Sequence, residues 1–199
     1  MTEKLCVTIS LMILGPKKLL ALVKKTNLVE GLDTRELTTP EGAGFDLRLG
    51  EAYTISGHAF LGVTHRETPT ISLKSQVESQ KPEGRSKKKE KNKSLIIKPG
   101  EFYLVTTMET VNIPLNLCAT FIPRTTTFRS GLFLRTGVAQ PGYQGKLTFG
   151  LKNEGPITVE IEMGARFVFV QFHEVVGATQ YKGQWQGGRV TTEKREKQI

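Results

Sequence analysis

Four short stretches of this chain hold residues whose types and spacing could do chemistry. "PRTTTFRSG", Pro123 to Gly131, brings two arginines, three threonines and a serine into nine residues. Guanidinium groups bind phosphate through paired hydrogen bonds, and hydroxyls with free backbone N–H groups complete an oxygen shell. Two readings stand: a phosphate site, or an exposed turn whose arginines only solvate the fold. "EGAGFDLRLG", Glu41 to Gly50, delivers Asp46 and Arg48 from a glycine-rich turn at the start of a strand. "VAQPGYQGKLTFGLKN", Val138 to Asn153, reads as strand, turn, strand, because Pro141, Gly142 and Gly145 form turns and "KLTFGL" has strand character. It contains no carboxylate, the group a hydrolase or deaminase built on it would use to move a proton. In "GQWQGGR", Gly183 to Arg189, glycines let a backbone close over phosphates while Arg189 adds charge.

Other chemistries have less support. His58, His65 and His173 do not make a ligand or triad spacing, and His173 in "VQFHEV" is expected to be a half-buried strand residue. The two cysteines, Cys6 and Cys118, are far apart, which gives neither a disulfide framework nor a zinc site and suits a reducing cytoplasm.

The elements that must position these stretches are mostly strands. Ten short segments, from "GFDLRLG" to "ARFVFVQFHEV", are punctuated by Gly and Pro. This spacing predicts an antiparallel sandwich or barrel rather than alternating β and α units. One short helix is expected near the N-terminus, where "GPKKLLALVKKTNL" starts on Pro16 and sets Leu19, Leu20, Leu22 and Val23 on one side. The apolar run Leu5 to Gly15 is expected to be a buried first strand, since its charge flank is weak and no small-residue cleavage pattern follows it. No apolar run reaches the roughly 18 to 20 residues of a spanning helix. A single domain is expected over residues 1–190, with a charged tail at 191–199. Of the net charge of +9, +4 lies in residues 77–94, where seven Lys or Arg face three Glu. That insert reads as a solvated loop, with an anion-binding arm or nonspecific nucleic-acid contact as the alternatives. It holds no aromatic residue to stack on bases, so a nucleic-acid partner is not expected.

Taken in order, the four stretches resemble the dUTPase and dCTP deaminase family over most of the chain. "MILGPKKLLALVKK" looks like the amino-terminal strand and helix of dCTP deaminases, which suggests Met12 rather than Met1 as the usual start. "AGFDLRLG" blends the first motifs of the two branches. "RTTTFRSG" resembles the phosphate-binding second motif and implies Arg124, Thr125, Thr126, Arg129 and Ser130 at a triphosphate. "PGYQG" resembles the third motif, whose hairpin accepts a pyrimidine, and implies Gly142 and Tyr143 at the base and deoxyribose. "ITVEIEMGARFVFVQFHEV" looks like the core strand pair that follows. "YKGQWQGG" resembles the carboxy-terminal segment that folds over the nucleotide, implying Gln184, Gln186 and Arg189. The resemblance implies a dUTPase-like distorted jelly roll, a cytoplasmic homotrimer with sites between subunits, a deoxynucleoside triphosphate ligand, and magnesium bound with it near Asp46. Two departures bear on activity. The water-orienting aspartate of dUTPases is matched by Gln140, and the proton-shuttling glutamate of dCTP deaminases by Gly150. Asp46 or Glu154, from the same or a neighbouring chain, are the replacement acids. Release of diphosphate from dUTP is the first expectation, with dCTP deamination or a catalytically silent nucleotide-binding trimer as alternatives.

Overall fold

The computed structural model describes residues 12–74, 77–78 and 93–198. The expected strand over Leu5 to Gly15 and the basic insert 77–94 fall mostly outside the described residues.

Helix α1 (Pro16–Thr26) starts on a proline, whose missing N–H costs nothing in the first turn, and ends where Asn27 adopts a left-handed φ of 52° and donates its N–H to Val23. Lys24 and Lys25 in its last turn complement the helix dipole, and Leu19 is fully buried. Strand β1 (Val29–Glu30) leads to α2 (Thr34–Thr38), a five-residue helix capped by the Asp33 carboxylate, which accepts the Arg35 N–H at 2.9 Å. The strands that follow are β2 (Phe45–Ser56), β3 (Phe60–Leu61), β4 (His65–Glu67), β5 (Thr70–Leu73), β6 (Val77–Glu78), β7 (Lys93–Ile97), β8 (Phe102–Asn112) and β9 (Leu117–Pro123). A second five-residue helix, α3 (Thr125–Arg129), precedes β10 (Leu132–Arg135), β11 (Val138–Ala139), β12 (Gln144–Asn153), β13 (Val159–Glu162), β14 (Arg166–Glu174) and β15 (Glu196–Lys197).

The main sheet runs β10-β12-β8-β2-β14-β9-β11, with β1 added on β8 and β5 on β2, and its pairs are antiparallel. Strand β2 makes it curl. Its first residues pair with β14, its middle with β8 and its end with β5, and the register shifts between Leu49 and Ala52. Gly50 lies at that bend, where a Cβ would come within 2.7 Å of the Thr107 carbonyl oxygen, so the absence of a side chain lets β2 and β8 close there. The core is filled by Phe45, Leu47, Leu49, Val105, Leu151, Val168, Val170 and Phe172, all fully buried. Phe121, Phe149 and Phe167 form a chain of tilted rings at 5.1 and 6.1 Å. Arg48 serves this framework: fully buried Glu109 accepts its backbone N–H at 2.9 Å and its Nε–H at 2.7 Å, tying β2 to β8.

The expected mainly antiparallel β structure is what the chain forms, as one curled main sheet with two small ones. It differs from the sequence reading in two helices and in the tail. Helix α2 carries the Asp33–Glu36 spacing of a capping box, a signal present in the sequence, although Glu36 turns to the Asp46 N–H at 3.1 Å. The charged residues near the C-terminus are not a loose tail. Glu196 and Lys197 pair with Arg66 and His65, making a small sheet β15-β4-β3.

Candidate functional site

The β11–β12 connection borders a cleft of about 530 Å³; it is not the expected hairpin, since β11 pairs with β9 and β12 with β8 and β10. Its tip is a tight turn in which the Tyr143 N–H bonds the Gln140 carbonyl at 3.0 Å, with Pro141 second and Gly142 third at φ +83°, the requirement of a type II turn. Ile113 fixes the turn from outside by exchanging backbone bonds with Gly142 and Tyr143 at 2.9 and 2.8 Å. Tyr143 is 8% exposed, its hydroxyl donating to the Lys146 carbonyl at 2.6 Å and its ring meeting Tyr181 edge-on at 5.8 Å. Burial, with Tyr181 adding and a Gly188 backbone contact opposing, pushes its phenol up to about 12, so it is neutral and packs as a ring. The rest of the lining includes Ile55, Ile71, Phe102, Leu104, Phe121, Phe149 and Val190, with Gln140, Thr148, Thr68 and Arg189 as polar members. Among the described residues no Asp, Glu, His or Cys lines this cleft. The Thr148 hydroxyl is buried and has no hydrogen-bond partner.

Residues 181–189 form a strap across this turn. Tyr181 donates its N–H to the Pro141 carbonyl at 2.7 Å. The Gln186 side-chain amide grips the turn, donating to the Gly142 carbonyl at 2.9 Å and accepting the Gln144 N–H at 3.2 Å. A Cβ on Gly145 would sit 2.3 Å from the Gly188 nitrogen, so this approach of two backbones requires glycine, as does the Gly145 φ of +139°. Trp185 and Arg189 are thereby placed on the cleft.

A second, shallower depression of about 310 Å³ is lined by Asp46, Ile122, Pro123, Arg124, Thr125, Thr126 and Phe169. Here the Asp46 carboxylate holds Arg124 Nε and Arg166 Nη1, each at 3.0 Å. Arg166 also reaches buried Glu36 at 3.7 Å, and Arg35 bonds Glu36 at 2.7 Å. Burial, reinforced by Glu36, raises the Asp46 carboxyl above its usual range in spite of the two arginines. Helix α3 is pinned below by Thr127, whose hydroxyl donates to the Phe167 carbonyl at 2.8 Å. Thr125 and Thr126 are left exposed.

The residues expected from sequence therefore separate into groups. Asp46, Arg124, Thr125 and Thr126 share the depression. Gln140, Tyr143 and Arg189 share the cleft, with Gly142 and Gln186 in the turn and its clasp. Arg129 is exposed and lines neither hollow, and Ser130 donates its hydroxyl to Thr126 at 2.9 Å. Gln184 bonds the Lys197 carbonyl at 2.8 Å, outside the cleft. Glu154 is exposed beside Lys152 at 3.6 Å and lines neither hollow. His173 is half-buried and bonds Thr120 through Nε2 at 2.8 Å, as expected of a strand residue. Arg166, Phe102, Thr148 and Trp185 were not among the expected site residues. Arg166 and Phe102 come from strands whose patterns mark them only as framework, whereas Trp185 lies inside a stretch already singled out. Among the described residues no group of three or more His, Cys, Asp or Glu could hold a metal ion. None of their helices is long and apolar enough to cross a membrane.

Comparison with known proteins places this geometry. The chain is 30% identical over 149 residues to a dCTP deaminase of Pyrobaculum arsenaticum, covering 75% of this chain and 78% of that protein. It is 30% identical over 182 residues to a dCTP deaminase of Caldivirga maquilingensis, covering 91% and 94%. A probable deoxyuridine 5'-triphosphate nucleotidohydrolase of Methanothermobacter thermautotrophicus is 29% identical over 154 residues, covering 77% and 91%. The fold matches that of the Agrobacterium tumefaciens 2'-deoxycytidine 5'-triphosphate deaminase with a TM-score of 0.60 at 18% identity, over 84% of this chain and 49% of that one, so this chain spans about half its length. The β11–β12 turn, α3 and the first glycine-rich strand all lie inside residues 13–175, the span that matches the dCTP deaminase-like family, and the chain belongs to that family.

Proposed function

We propose that this protein binds a pyrimidine deoxynucleoside triphosphate, with base and sugar in the cleft and phosphates at Arg124 and helix α3 of a neighbouring subunit. The observation that carries the reading is the lining of the cleft: aromatic and aliphatic walls, a few hydrogen-bonding groups and Arg189, with no carboxylate or imidazole among the described residues. Adjacent residues of a strand point to opposite faces. Phe121 lines the cleft and Ile122 the depression, so the two hollows lie on opposite faces of β9. A nucleotide that draws base and sugar contacts from one chain and phosphate contacts from another uses both hollows, and a homotrimer with composite sites belongs to this reading. Magnesium would be held mainly by the triphosphate's own oxygens: Asp46, the one carboxylate among the described residues of the depression, is engaged by Arg124 and Arg166 and would reach the ion only on releasing a guanidinium. The ion would offset charge on the phosphates there; Thr125, Thr126 and the guanidinium of Arg129 orient them. A cytoplasmic location and no nucleic-acid partner belong to this reading.

Within it the cleft supplies recognition without a proton acceptor of its own, which favours a nucleotide-binding or regulatory role. A second reading, hydrolysis of dUTP or a related nucleotide to release diphosphate, is favoured by Asp46, whose burial raises its proton affinity in the depression assigned to phosphates. Deamination of dCTP would need a proton carrier that Gly150 does not provide. Incubation with each dNTP and magnesium, with binding measured in parallel and diphosphate and ammonia assayed, decides among them. Binding with neither product supports the first reading, and no binding of any dNTP overturns it.

A further inference from the structure

Arg189, expected from the sequence to add charge beside phosphates, lines the cleft, and its guanidinium is engaged inside the chain. Its Nε donates to the Thr191 carbonyl at 2.8 Å, and its Nη2 donates to the Thr192 carbonyl and the Glu196 carboxylate, both at 2.8 Å. The other Glu196 oxygen accepts two bonds from Arg66, each 3.2 Å. One carboxylate thus bridges two guanidiniums from separate segments, and the Arg66 and Glu196 side chains are only 16% and 17% exposed. Trp185 lies against the same pair, its ring centre 4.6 Å from the Arg66 guanidinium and 6.0 Å from that of Arg189. Backbone bonds reinforce the closure. Thr68 and Thr192 exchange N–H to hydroxyl bonds at 3.0 and 2.8 Å, Thr192 is 1% exposed, and β15 pairs with β4.

We propose that Arg189 is the anchor of the strap rather than a phosphate ligand, and that Glu196 and Arg66 are positioning residues that hold Trp185 against the cleft. A phosphate could take Arg189 only by displacing Glu196, which would leave Arg66 without its carboxylate and free β15 from one of its ties. The strap therefore retains a ligand by covering its apolar part, whatever its phosphates do. The effect on ligand retention rests on the nucleotide-binding reading; the clasp itself does not.

Trp185 is the chain's single tryptophan, so its emission reports the strap directly. Glu196→Gln should red-shift Trp185 emission and raise its quenching by acrylamide, and should speed release of dUTP and deoxyuridine alike, by roughly tenfold for a lost charge-assisted hydrogen bond. Glu196→Asp should recover part of both. Arg189→Ala should weaken deoxyuridine and dUTP by the same factor, whereas Arg129→Ala should weaken dUTP and spare deoxyuridine. Unchanged Trp185 emission in Glu196→Gln, or an Arg189→Ala variant that loses dUTP but keeps deoxyuridine, overturns the proposal. Should no nucleotide bind to the parent protein, the nucleotide reading fails while the emission measurement still decides the clasp.

Discussion

The ring of Phe102 lies 3.0 Å from the point where a side chain on Gly150 would begin. Gly150 pairs with Leu104 of β8 and Arg135 of β10, and the Arg135 Cβ closes the same space at 3.3 Å. At these distances Phe102 and Arg135 must give by a few tenths of an ångström to admit a side chain, so the place that the resemblance matches to a glutamate is crowded as well as lacking an acid. Gly150→Glu alone is therefore expected to overpack β12 and to lower stability by about 1 to 3 kcal/mol in denaturant unfolding. Adding Phe102→Ala should return part of that loss, which is the opposite of what a core truncation does by itself. Equal or additive losses would show that Phe102 does not occupy the position.

Thr148 gives a second, independent test of the cleft. Its hydroxyl is buried without a partner, a condition that costs roughly 1 to 3 kcal/mol of desolvation. Thr148→Val keeps the shape and removes that cost, so thermal stability should rise. A ligand that supplies the missing partner should then bind more weakly, by about three- to thirtyfold. A variant that is both more stable and unchanged in nucleoside affinity would remove Thr148 from recognition.

Much of this was legible from the chain. The turn residues Pro141 and Gly142 announce the turn, though not that β11 and β12 leave it to pair with different strands, and Pro16 with its following leucines announces α1, because local conformation decides both turn and helix. The arginines of "PRTTTFRSG" were visible as a cluster, but which one is free was not. Arg124 is paired because β2 and β14 bring Asp46 beside it, a contact across 78 residues of sequence that no local pattern encodes. The same holds for Glu36, fully buried in a helix whose cap was readable but whose partner Arg166 was not. The charged end of the chain read as a tail because composition cannot show that Glu196 has two arginines waiting for it.

That carboxylate also makes the strap sensitive to acid. Burial pushes the Glu196 carboxyl up, and the hydrogen bonds from Arg189 and Arg66 outweigh it, leaving the group below the usual glutamate range. A depressed folded value means that its contribution is present above the unfolded value and is lost as pH falls through the folded one. Trp185 emission should accordingly hold steady through neutral and mildly acidic pH and red-shift only below the ordinary glutamate range. Glu196→Gln should show the shifted emission throughout and no transition in that window. A transition of equal size in Glu196→Gln would assign the acid sensitivity to another group.

The β11–β12 turn decides between a binder and an enzyme. Gln140 is exposed on the cleft beside the turn, and an amide can hydrogen-bond water or a hydroxyl but cannot take a proton. If the pocket is otherwise complete, Gln140→Asp should create or strongly raise diphosphate release from a pyrimidine triphosphate, by about 100-fold to 10,000-fold for a positioned general base. If Asp46 already activates water from a neighbouring chain, the parent protein is active, Asp46→Asn abolishes turnover, and a carboxylate at position 140 adds little. Asp46→Asn also leaves Arg124 and Arg166 without their shared partner, so unfolding must be followed alongside turnover, with loss of activity counted only where the fold persists. A parent protein that binds nucleotide without turnover, and whose Gln140→Asp variant does the same, leaves recognition as the function of this cleft.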